Sequence, residues 1–242
     1  MGCFHCRTAL RGGGNAGAFG GRSPEADATR RITVLNDAQL TKDGLVPHGR
    51  GRVLIIACGA LAHEILALKR QNGWDHLDLA CLPAILHNHP EKIPEAVRAA
   101  VQENATRYQK VFVAYADCGT GGQLQATCAA LGVEMIRGPH CYAFFEGVDR
   151  FIAKAEDEFT AFYLTDFLVR QFDAFVWRPL GLDRFTELRD MYFGHYTKLV
   201  YQAQTDDHLL DQKARSCAEK LGLAYERRWT GYGDLAHVLG EQ

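Results

Sequence analysis

From Arg52 onward, short all-apolar runs alternate with amphipathic stretches, a pattern that predicts parallel strands separated by helices. Residues 53–57 (Val-Leu-Ile-Ile-Ala) form an apolar run of the length and β-branched character of a strand buried on both faces. It ends at Cys58-Gly59, after which Leu61, Ile65 and Leu68 recur at helical spacing. A second strand is predicted over 77–86, running into the loop His87-Asn88-His89-Pro90. The next helix turns Ile93, Val97, Ala100 and Val101 to a core, with Pro94 in its first turn, where proline is tolerated. The pattern returns with a strand over 111–116, the turn Asp117-Cys118-Gly119-Thr120-Gly121-Gly122, and a helix face of Leu124, Cys128 and Leu131. A strand over 133–136 and the loop Pro139-His140-Cys141 follow. A third copy comprises a strand over 199–203, a helix burying Leu210, Ala214, Cys217 and Leu221, and a strand over 223–227.

Residues 143–197, between the second and third copies, read as a helical insert whose many aromatics, Phe144, Phe162 and Trp177 among them, are packing residues. The expected fold class is therefore α/β, with parallel sheets built from repeated β-α-β units. The three copies are consistent with three similar lobes around a central cleft, and their irregular spacing excludes a solenoid. Residues 1–50 read as a flexible leader, because Gly12, Gly13, Gly14, Gly17, Gly20 and Gly21 crowd together without apolar periodicity. Residues 51–242 form the α/β domain. Cys3 and Cys6 make a CxxC pair, half of a zinc site, but no second pair follows at zinc-ribbon spacing.

Composition narrows the partners. Of 242 residues, 47% are hydrophobic and 23% charged, which is the balance of a soluble globular chain. Twenty-seven basic residues nearly offset twenty-nine acidic ones, so no basic surface for nucleic acid or anionic membrane is expected. No apolar run approaches the ~20 residues of a membrane span, and the start lacks the apolar core of roughly 7–15 residues found in export signals. The expected location is cytoplasmic, where the eight cysteines would be reduced thiols or ligands. A small-molecule substrate or cofactor is the remaining kind of partner.

The candidate chemistry sits at strand ends. Cys58, Cys118 and Cys141 each end or follow a predicted strand, and Gly59 and Gly119 directly follow the first two. Glycine permits a tight turn and close approach to a ligand, while the following helix favours thiolate over thiol. Cys81, Cys128 and Cys217 fall on apolar faces and read as core residues. Three thiolates without a fourth leave one coordination position open. That suggests an iron–sulfur cluster with one free iron, or zinc, with His140 available to complete a Cys3His set. His87 and His140 are the candidate proton carriers. Gly59, Gly119, Thr120 and Gly121 are candidate cofactor-binding positions, since the Gly-Thr-Gly-Gly stretch can aim backbone amides at an anion. It carries no phosphate-loop lysine. Glu64, in the first turn of a helix, complements the helix dipole. Two rival readings stand beside the metal enzyme: metal-free catalysis with Cys118 or Cys141 as nucleophile, and a non-catalytic metal or cofactor carrier.

Taken together, these segments resemble a bacterial and archaeal family classed as a domain of unknown function. The likeness rests on Cys58-Gly59, on Leu86-His87-Asn88 with Pro90, and on Tyr115 with Cys118-Gly119. To these add His140-Cys141 followed by Gly147, and Tyr163-Leu164-Thr165. It covers roughly residues 52 to 240, and implies that the three cysteines belong to a recurrent motif set, with no activity attached. A looser similarity is to quinolinate synthase, in which three α/β lobes each present a cysteine to one iron–sulfur cluster. Here Cys141 comes from the second copy, and the third has Tyr201-Gln202-Ala203-Gln204 in place of a cysteine. The expected reaction is elimination, hydration or group transfer on a small polar metabolite.

Overall fold

The apolar run at the head of the domain becomes the centre of a sheet. In the computed structural model, which describes residues 35–242, β1 (Val53–Cys58) is buried along its whole length. It lies between β2 (Leu77–Leu82) and β3 (Lys110–Ala114), with the short β4 (Glu134–Met135) beyond β3, and every pairing is parallel. Helices α2 (Ala62–Asn72), α3 (Ile93–Asn104) and α4 (Gln123–Leu131) make the crossovers. Parallel strands need such long connections, which is why apolar runs and amphipathic stretches alternate in the chain.

A second parallel sheet has the order β5 (Ala161–Thr165), β6 (Lys198–Ala203), β7 (Ala224–Trp229). Around it run α5 (Ala143–Glu146), α6 (Val148–Ala153), α7 (Asp166–Arg170), α8 (Arg189–Phe193), α9 (His208–Leu221) and α10 (Gly233–Gly240). Thr165 caps α7, and Asp207 caps α9 through the backbone N–H groups of Leu209 and Leu210. Asp166 is fully buried, and its carboxylate accepts from the Tyr201 hydroxyl at 2.7 Å, the Gln204 N–H at 3.1 Å and the Thr205 N–H at 3.0 Å. Those bonds pin the start of α7 to the end of β6, and they satisfy a charge that would be expensive to bury alone.

The parallel α/β class is as expected, and the copies are distributed over two sheets, with the first and second sharing one. Three local readings differ. The supposed leader is packed from its last third onward: α1 (Asp37–Lys42) buries Leu40, and Leu45 pairs with Cys81 in an antiparallel bridge. Cys3 and Cys6 lie outside the described residues. The strand expected to run to residue 86 stops at Leu82, because Pro83 has no N–H for the ladder, and a 3₁₀ turn, Ala84–Asn88, takes over. The supposed helical insert contains β5, the edge of the second sheet. No helix among the described residues is long and apolar enough to cross a membrane.

Candidate functional site

In an open parallel sheet, ligands settle beyond the carboxyl ends of the strands, where successive connections leave in opposite directions. Here β1 leads through α2 to β2 on one side, and the chain then crosses back through α3 to β3 on the other. The switch point is therefore the end of β1 and β3. Cys58 is the last residue of β1, and Cys118 lies in the loop leaving β3. Two backbone bonds join that loop to the one after β4: Asp117 N–H to Gly138 at 3.0 Å, and Cys118 N–H to Pro139 at 2.9 Å. This stitching carries Cys141 to the same place.

The three cysteines line one cavity of about 40 Å³, with His87, Tyr115 and Tyr142 beside them and Leu61, Leu168 and Phe175 closing it. Sγ of Cys118 lies 3.2 Å from Sγ of Cys141, well beyond the ~2.05 Å of a disulfide, and all three thiols are free. Cys118 has a φ of 48°, a left-handed backbone unusual for a residue with a side chain. Such strain persists only where its surroundings impose it, and here the two inter-loop bonds do.

The sulfurs are electrostatically unequal. Cys118 is held well below the ordinary thiol range because Cys141 hydrogen-bonds to its thiolate, with His87 as a further favourable neighbour, and together they outweigh burial. Cys141 moves well above that range, since the same contact and burial both favour its protonated form. Burial pushes Cys58 up to about 11. The cavity thus favours a single thiolate, held by a hydrogen bond between Cys118 and Cys141, over two or three. The Tyr115 hydroxyl is buried beside Cys58, and burial holds its proton well above the ordinary phenol range.

The other candidates divide. His87 is brought to the cavity, whereas His140 sits behind Tyr142, stacked on its ring at 4.9 Å and 9°. His140 faces a neighbouring groove, and burial favours its neutral imidazole. The amides read as an anion cradle are filled from within. Asp117 accepts from the Thr120 hydroxyl at 2.7 Å, the Gly121 N–H at 3.1 Å and the Gly122 N–H at 2.7 Å. Thr120 and Gly121 therefore shape the loop that carries Cys118, and their donors are already engaged. Gly59 is a packing glycine, because a Cβ there would lie 2.4 Å from the Leu40 carbonyl oxygen of α1. Gly119 adopts a φ of 86° beside Pro90. Cys81, Cys128 and Cys217 are buried as expected. Sequence reasoning did not pick out Leu168 or Phe175 as cavity walls. Phe175 arrives on a π-helical turn, Asp173–Trp177, that leaves no periodic signal.

Residues 81–239 match the family described as "Protein of unknown function (DUF1638)". The chain belongs to that family. The DUF1638 match contains His87, Cys118 and Cys141, and Cys58 precedes it. No curated protein matches this DUF1638 chain. Among solved structures, ornithine carbamoyltransferase from Pyrococcus furiosus shares 11% identity over 78% of this chain and 55% of that one, with a TM-score of 0.25. The DUF1638 chain thus spans about half the length of that protein, and so slight a likeness carries no argument.

For a metal the fit is incomplete as the side chains stand. Among the described residues, no group of three or more His, Cys, Asp or Glu side chains is already arranged to hold a metal ion. Two thiolates on one tetrahedral ion, with bonds of ~2.3 Å, lie ~3.8 Å apart. Cys118 and Cys141, at 3.2 Å, would have to part by roughly half an ångström.

Proposed function

We propose that the three-cysteine cavity binds a single soft metal ion, zinc foremost, and that the chain is an enzyme using it on a small polar molecule, by hydration, elimination or group transfer. The observation that carries this reading is the arrival of three sulfurs, from the ends of separate strands, at one cavity. An iron–sulfur cluster with one free iron fits less well. Cysteines on separate irons stand farther apart than cysteines on a shared ion. A cavity of about 40 Å³, where one water needs ~10–15 Å³, is also small for four irons and four sulfides.

The chain's own groups supply the rest. Cys118 is the thiolate already formed, and Cys58 and Cys141 would each release a proton as a cation enters, so affinity rises with pH. A bound ion supplies Lewis-acid polarisation of a substrate oxygen. His87, at the cavity wall, carries protons, and the Tyr115 hydroxyl offers a hydrogen bond to an entering oxygen.

The test is anaerobic purification followed by measurement of zinc, iron and sulfide. About one metal ion per chain is expected, lost in Cys58→Ser, Cys118→Ser and Cys141→Ser. Metal-free protein that takes up neither zinc nor cobalt overturns the reading. Sulfide in proportion to iron selects the cluster, and tight metal without turnover selects a carrier. A second reading is favoured by the 3.2 Å sulfur contact and the lowered Cys118: metal-free catalysis, with Cys118 as nucleophile and His87 as base. Activity that survives chelators and is lost on thiol alkylation would select it.

A further inference from the structure

Two of the three cavity thiols are in contact. Sγ of Cys118 and Sγ of Cys141 lie 3.2 Å apart and unbonded. A disulfide requires ~2.05 Å, so the pair has to close by roughly 1.2 Å to form one. The backbone beneath them is already tied. The Cys118 N–H donates to Pro139 at 2.9 Å and the Asp117 N–H to Gly138 at 3.0 Å, which holds the loop after β3 against the loop after β4. Asp117 fixes the first loop again through Thr120, Gly121 and Gly122. The second loop is fixed by a turn in which the Ala143 N–H donates to His140 at 3.0 Å. With both loops held, closure is left to the two side chains.

Metal binding and disulfide formation pull this pair in opposite directions. A shared tetrahedral ion sets two sulfurs ~3.8 Å apart, a disulfide sets them at ~2.05 Å, and the observed 3.2 Å lies between. A disulfide also leaves neither sulfur as a thiolate to ligate. The two states therefore exclude each other.

We propose that Cys118 and Cys141 are a reversible thiol–disulfide pair, oxidised by a hydroperoxide that enters the cavity, and that the disulfide locks the three-cysteine site against a metal ion. The disulfide stands without any metal, whereas its action as a lock rests on the metal-binding reading above. The cavity of about 40 Å³ exceeds the ~10–15 Å³ that one water needs, which gives room for the two oxygens of hydrogen peroxide. One sulfur of the pair attacks a peroxide oxygen. An S–O bond forms as the O–O bond breaks, and the departing oxygen leaves as water. The second sulfur then displaces the hydroxyl from the sulfenic acid, and its thiol proton leaves with that hydroxyl as another water. Two thiols thus lose two electrons and two protons, and the peroxide gains both. Exchange with a small dithiol reverses the oxidation. Cys58 stays a thiol throughout.

The test is peptide mapping of the full chain, reduced, stripped of metal with a chelator, treated with hydrogen peroxide and then alkylated. Cleavage after lysine and arginine places Cys58 on 53–69, Cys118 on 111–137 and Cys141 on 138–150, apart from Cys3 and Cys6 on 1–7. Fragmentation of 111–137 separates Cys118 from Cys128. The expected product joins 111–137 to 138–150 through Cys118 and Cys141, in most of the protein, and is released by dithiothreitol. Cys58→Ser and Cys128→Ser should each give the same link. Zinc at about a hundred times its Kd should slow the link roughly a hundredfold, because only the metal-free fraction reacts. Oxidised protein should take up zinc only after reduction. Both sulfurs still free, a link through Cys58 or Cys128, or oxidation of either sulfur to sulfinic acid without a link overturns the pair. An equal rate with and without bound zinc overturns the lock. A link in protein that takes up no zinc when reduced removes the metal and leaves the pair, and zinc uptake by protein that forms no link does the reverse.

Discussion

Glu64 makes a quantitative claim about stability. In the unfolded chain its carboxyl ionises near 4.5, and in the folded protein near 7. Between those values the native state keeps a proton that the unfolded state has lost, so stability falls as pH rises. Below the window both states are protonated, and above it both are ionised. At ~1.4 kcal/mol per pH unit the total loss is about 3 kcal/mol. Glu64→Gln cannot ionise and escapes it. Urea unfolding of both proteins at pH 5 and pH 8 isolates this contribution, since all other titrating groups are shared. The stability advantage of the variant should grow by about 2–3 kcal/mol from pH 5 to pH 8, which at a urea slope of ~2–3 kcal/mol per molar moves the midpoint by roughly 1 M. An advantage that is the same at both pH values would mean that Glu64 is not a buried, solvent-deprived acid, and would refute the argument.

Two further outcomes test the cysteine cavity and its frame. In metal-free protein, the ultraviolet absorbance of thiolate should show a step well below the ordinary thiol range, abolished by Cys118→Ala and moved to higher pH by Cys141→Ala, which removes the hydrogen bond to the Cys118 thiolate. Gly59→Ala drives a Cβ to 2.4 Å from the Leu40 carbonyl oxygen and should destabilise by about 1–3 kcal/mol, lowering Tm by roughly 2–4 °C per kcal/mol.

β1, which ends in Cys58, and β3 were legible because each reads as a short, β-branched apolar run of strand length. β5 was not: Ala-Phe-Tyr-Leu-Thr sits in an aromatic-rich stretch with no turn signal, and its place at a sheet edge depends on pairing with a strand more than thirty residues on. α1 was hidden behind the glycine-rich stretch that precedes it. The convergence of Cys118 and Cys141 rests on backbone bonds between two loops, which no periodicity encodes. Asp117 was visible three residues before a threonine, yet its carboxylate, and not a ligand, occupies the loop amides. Glu64 did leave a signal. It falls three after Leu61 and four before Leu68, on the same stripe that buries Ile65, and an acid on an apolar stripe is more informative than one that merely complements a dipole.

Helix α7 is only five residues long, and it separates two recesses, with Leu168 toward one and Arg170 toward the other. Its first residue is anchored to the second sheet through Asp166, so the helix has little freedom to yield independently on its two faces. The wall of the cysteine cavity at Leu168 is thus held by the second sheet, while the sulfurs facing it hang from the first.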